Sequence, residues 1–104
     1  MSTADATIAV TGVGAVTPLG DARRTWERLL AGQSGLEVAP EAIRRAGCGV
    51  IGPAAWFDAG DFMDRNTARR MGRFSQFSVA AATMAMADAG LEGYAGDGLG
   101  VVVH

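Results

Sequence analysis

Arg65, Arg69, Arg70 and Arg73 put four positive charges into nine residues with no acid among them. Guanidinium forks at that density suit phosphate or carboxylate oxygens, so the cluster is a candidate receptor for an acidic partner. The plainer reading is a solvated helix face, and Asp58, Asp61 and Asp64 just upstream supply charge to offset it. Arg65, Arg69 and Arg73 fall at i, i+4 and i+8, a spacing that predicts a shared helical face.

Other residues with chemical potential carry less. Gly12-Val13-Gly14 follows an apolar run in the manner of a dinucleotide-binding turn, but the third glycine of that fingerprint would fall at Thr17, with Pro18 next. These glycines are expected instead to let the turn pass close to a neighbouring strand. Gly32-Gln33-Ser34-Gly35-Leu36 resembles a nucleophile elbow, yet it follows a helical pattern and puts Leu36 at the second glycine position, so it reads as a turn. Cys48 lies between Gly47 and Gly49 with no His or Lys nearby to activate it, and is expected to be buried or inert. His104 has no partner in the sequence and supports no mechanism. All nine basic residues are Arg, which excludes P-loop, Schiff-base and lysine-base chemistry. One Cys and one His build neither a disulfide framework nor a Cys/His zinc site in one copy of the chain, so no cofactor or metal is expected.

The frame for these residues is a single domain over residues 1–104. With 49% hydrophobic and 19% charged residues the chain reads as globular. Its 15 Gly and 20 Ala permit close backbone packing but leave few large side chains, which predicts a thin core. A net charge of -2 gives no global attraction to nucleic acid. The first basic residue is Arg23 and the uncharged run over residues 74–87 is too short for the ~20 apolar residues a membrane span needs. No membrane insertion and a cytoplasmic location are expected.

Residues 7–13 are β-branched and apolar and predict a buried strand that breaks at a glycine-rich turn. Asp21 is the expected N-cap of a helix over 21–31 that stops at Gly32. Residues 41–46 and 48–51 are two candidate short elements. Asp61 and Asp64 introduce a second helical region. A continuous helix to Gly90 would point Arg70 into the sector of Phe74, Phe77, Ala81 and Met84, so a break is placed at Gly72. The following helix, 73–89, has six alanines in its last ten positions and is expected to be closely packed and largely buried. Residues 99–103 predict a second apolar strand. The order implies an α/β fold with a parallel sheet covered on both faces.

Several motifs in sequence order now point to one family. Val10-Thr11-Gly12-Val13-Gly14-Ala15-Val16-Thr17-Pro18-Leu19-Gly20 and Trp26-Glu27-Arg28-Leu29-Leu30-Ala31-Gly32-Gln33-Ser34-Gly35 resemble the opening of elongating β-ketoacyl-[acyl-carrier-protein] synthases. Phe57-Asp58, Arg69-Arg70-Met71-Gly72-Arg73-Phe74, Ala87-Asp88-Ala89-Gly90-Leu91 and residues 100–103 continue the likeness over nearly the whole chain.

The resemblance implies the N-terminal part of a thiolase-like fold, with parallel strands and covering helices, here incomplete. It implies a decarboxylative Claisen condensation of acyl and malonyl thioesters in fatty-acid or polyketide synthesis. In that family a cysteine takes the acyl group and two histidines assist decarboxylation and hold the thioester oxyanion. Cys48 does not lie in the family's nucleophile motif, and the catalytic motifs belong downstream of His104, so this chain alone is expected to be an inactive N-terminal fragment. Arg65, Arg69 and Arg70 match positions that meet the acidic acyl carrier protein. Asn66 stands where a Lys is often found, and Gly72 where an Asp is common. A homodimer or heterodimer is implied for the full-length protein. The competing readings are a non-catalytic, chain-length-factor-like partner subunit and, more remotely, a free-standing nucleotide-binding domain.

Overall fold

A computed structural model describes residues 6–104. The first element is helix α1 (Ala22–Leu30), and both of its ends follow from local chemistry. The Asp21 carboxylate accepts a hydrogen bond from the Arg24 amide at 2.9 Å, satisfying one of the free first-turn donors. At the other end Gly32 turns left-handed, φ +77°, while the Gly32 and Gln33 amides donate to the carbonyls of Leu29 and Arg28. The Ser34 hydroxyl then accepts from the Leu36 amide, so residues 32–36 form a turn, as expected.

Strand β1 (Glu37–Val38) pairs antiparallel with β2 (Val50–Ile51), Glu37 opposite Ile51 and Val38 opposite Val50. Helix α2 (Glu41–Arg45) connects them. A 3-10 turn (Ala59–Asp61) leads to helix α3 (Arg65–Arg69), and after a break comes helix α4 (Arg73–Asp88). Gly72 is the N-cap of α4, where the sequence places the break.

The core gathers on Phe57, which is buried. Its ring stacks on Phe62 at 5.7 Å and meets Phe77 and Trp56 edge to face at 4.9 and 5.9 Å. Arg73 lies over two of these rings, its guanidinium carbon 5.3 Å from the Phe57 centroid and 5.0 Å from that of Phe77. Leu19, Ala39 and Ala80 are the other buried apolar residues among those described, so the core is as thin as composition predicts.

The α/β class holds, but three expectations are corrected. Residues 7–13 and 99–103 form no strand, and the sheet among the described residues is a two-residue antiparallel pair instead of a parallel one. A strand exists only through ladder bonds to a neighbour. Neither segment has one here, and Ile8, Val102 and Val103 stand 95%, 97% and 84% exposed. Second, Gly12 and Gly14 pass close to a helix, not a strand. A Cβ on Gly12 would overlap the Ala85 carbonyl and Ala89, and one on Gly14 the Ala81 carbonyl. The alanine row 81, 85 and 89, on α4 and its C-cap, is thus matched by missing side chains on the facing segment, and the Val13 amide donates to the Asp88 carboxylate at 2.9 Å. Third, α4 is not largely buried: Ala80 alone of its residues is, and Phe74 is 77% exposed. The radius of gyration is 17.4 Å, against ~13 Å for a compact 100-residue domain.

Candidate functional site

The arginine cluster divides where the helix does. Asp64 caps α3, its carboxylate accepting from the Thr67 amide at 3.2 Å, and this fixes the first turn that carries Arg65. Arg69 closes the last turn and Arg70 is the C-cap. The Gln76 side chain donates to the Ala68 carbonyl at 3.0 Å and ties α3 to α4. Arg65, Arg69 and Arg70 are all exposed.

Arg73 leaves this group, so of the three arginines expected on one face two, Arg65 and Arg69, remain on α3. The Arg73 side chain donates to the Ala54 carbonyl at 3.1 Å while the guanidinium covers the Phe57 and Phe77 rings. That is a cation–π and packing role, and it follows from the break at Gly72, which ends the i, i+4, i+8 relation.

Of the three upstream acids, Asp58 and Asp64 accept hydrogen bonds from backbone amides. Asp58 accepts from the Gly60 amide at 2.8 Å and starts the 3-10 turn, while Asp64 serves as the α3 cap. The ion pairs among the described residues are Arg23 with Glu27 and Arg45 with Glu41, both within single helices. Arg65, Arg69 and Arg70 are in neither. Arg65 and Arg69 line a cleft of about 320 Å³ together with Asp58 and Gln76. Such a surface attracts and orients an anion; it has no nucleophile with a base beside it, and so performs no bond-making step.

Cys48 is exposed, so of the two expected alternatives, buried or inert, burial is excluded, and its thiol donates to the Val50 carbonyl at 3.2 Å. His104 is exposed as well. No group of three or more His, Cys, Asp or Glu able to hold a metal occurs among the described residues, and no helix is long and apolar enough to cross a membrane.

Sequence reasoning missed the side chains that hold the glycine-rich turn. The Trp56 indole donates to the Thr17 carbonyl at 2.7 Å, Arg28 donates to the Leu19 carbonyl at 2.9 Å, and the hydroxyls of Thr17 and Thr25 are 2.6 Å apart. A bond across 39 residues leaves no periodic trace, and only the Thr17–Thr25 and Leu19–Arg28 spacings were short enough to suggest a helix folding back on its own lead-in.

Comparison with known proteins gives a consistent picture. The family model described as "Beta-ketoacyl synthase, N-terminal domain" matches residues 5–103. The chain is 37% identical over 86 residues to the 3-oxoacyl-[acyl-carrier-protein] synthase 2 of Synechocystis sp. (strain ATCC 27184 / PCC 6803 / Kazusa), an alignment covering 81% of this chain and 21% of that protein. It is 35% identical over 92 residues to the protein of the same name from Staphylococcus aureus (strain COL), covering 82% of this chain and 21% of the relative. The chain therefore spans about a fifth of the length of the curated relatives it matches.

Proposed function

The chain belongs to the β-ketoacyl synthase family through that family's N-terminal domain, and from this premise we propose that it serves a condensing enzyme of fatty-acid synthesis, an acyltransferase joining acyl and malonyl thioesters with loss of carbon dioxide. In this reading the 104 residues contribute scaffold and carrier docking. The acyl-accepting cysteine and the two histidines belong to parts of the enzyme outside them, and Cys48 takes no part. Residues 7–13 and 99–103 enter the parallel sheet of a thiolase-like fold in the complete protein, and the complete protein is a dimer. The relatives reported above are all named synthases, which favours this reading over a non-catalytic partner subunit.

The observation that supports carrier docking is the trio Arg65, Arg69 and Arg70, exposed on α3 while Asp58 and Asp64 are turned to backbone amides. Exposed charge pairs are worth ~0.2–1 kcal/mol each and are screened beyond ~10 Å at 0.1 M salt. Binding to an acidic acyl carrier protein is therefore expected to be weak, to weaken further as salt rises, and to disappear when all three arginines become Glu. Binding that the triple variant leaves unaltered at low salt would refute the assignment. The isolated chain is expected to show no condensing turnover. Turnover that survives Cys48→Ser would show that a nucleophile lies within these residues, and turnover that Cys48→Ser abolishes would make Cys48 that nucleophile.

A further inference from the structure

A second basic cleft lies away from the α3 arginines. Leu19, Gly20, Asp21, Arg24, Arg28 and Trp56 line a space of about 310 Å³ between the Thr17–Gly20 hairpin and the start of α1. We propose that this cleft binds a phosphate group, through Arg24 and Arg28, with Trp56 on its rim.

Arg24 and Arg28 are one turn apart on α1, so their side chains rise from the same face. Both are held in place by the hairpin. Arg28 Nη1 donates to the Leu19 carbonyl at 2.9 Å, which anchors one nitrogen of the guanidinium and leaves four N–H donors for a ligand. The stem of Arg24 lies against Gly20, where an added Cβ would sit 2.9 Å from Arg24 Cβ, and the φ of +128° at Gly20 suits glycine alone. Trp56 is fixed by its 2.7 Å bond to the Thr17 carbonyl.

Charge favours an anion. Neither arginine is ion-paired among the described residues. The one acid on the rim, Asp21, has Oδ1 committed to the Arg24 amide as the helix cap. Two guanidinium forks on one face match the three terminal oxygens of a phosphate, whereas a carboxylate is satisfied by a single fork. The cleft is thus pre-organised for a tetrahedral anion, free or as the end of a phosphomonoester.

The test is a titration of the 104-residue chain with inorganic phosphate, at constant ionic strength set by chloride, following the Trp56 indole N–H by NMR. A saturable shift at millimolar phosphate is expected for Trp56 and not for Trp26. Arg24→Gln and Arg28→Gln should each weaken it about tenfold, while Arg44→Gln, on α2 and in neither cleft, leaves it unchanged. Acetate in place of phosphate should give no saturable shift. Glucose 6-phosphate run in parallel distinguishes the sources: tighter binding assigns the site to an ester, and equal binding to the free ion. An unsaturable Trp56 shift, an equal response to acetate, or a response unchanged by both Gln variants would overturn the proposal. If the indole signals are not dispersed, far-ultraviolet circular dichroism replaces them. Phosphate should then raise helix content above that in matched chloride, in the parent chain and in Arg44→Gln but not in Arg24→Gln, and no such gain would equally overturn it.

Discussion

Residues 12–20 and residues 96–103 are alike in composition, each a run of glycines and β-branched apolar residues, yet the structure treats them differently. The first is fastened by side chains from two distant positions and one near one: Asp88 on the Val13 amide, Trp56 on the Thr17 carbonyl, and Arg28 on the Leu19 carbonyl. In the second, Val101, Val102 and Val103 stand 78–97% exposed and make no backbone bond among the described residues. Apolar pattern alone therefore does not place a segment. What separates the two is a set of polar side chains supplied by α1, α4 and Trp56, together with an alanine row shaped to receive glycine.

The comparison is most easily broken at that row. Gly14→Val should force residues 12–14 off α4 at a cost of about 2–3 kcal/mol, read as a lower urea midpoint of the helical signal. Asp88→Ala leaves the Val13 amide without its acceptor and should cost about 1 kcal/mol, solvent exposure reducing the larger value of a charged hydrogen bond, while Asp88→Asn should recover part of it. Trp56→Phe keeps the ring beside Phe57 but loses the bond to Thr17, for about 0.5–1 kcal/mol. In the other region Val102→Lys should change stability by less than ~0.5 kcal/mol, since the side chain touches nothing it could lose. Hydrogen exchange sharpens the contrast, with amides of residues 13 and 20 expected to exchange more slowly than those of 101–103. Equal protection in both would remove the distinction.

Much of the helical layout was legible in the sequence because helix ends are local events. Asp21, Gly32, Asp64 and Gly72 act within four residues of themselves, so their effects can be read from spacing. The strands were not legible in this way. Residues 7–13 and 99–103 have strand composition, but a strand is a relation to another segment, and composition does not supply the second member. The arginine cluster was half legible. Its positions could be read directly, whereas the removal of Arg73 depends on the rings of Phe57 and Phe77, sixteen residues upstream and four downstream. Asp58 and Asp64 also serve as caps, because an acid's neighbours in sequence are its backbone amides as well as the cations nearby.

The bond between Val13 and Asp88 also sets an order of events. Its two ends are 75 positions apart, so the glycine-rich segment waits for 75 further residues to be added before its acceptor exists. At ~5–20 residues per second that wait lasts roughly 4–15 s, long compared with the ~1 μs in which a helix such as α1 forms. During nascent growth α1 and the hairpin beside it are therefore assembled early, and the docking of residues 12–14 onto α4 is a late closing step whose timing is governed by translation.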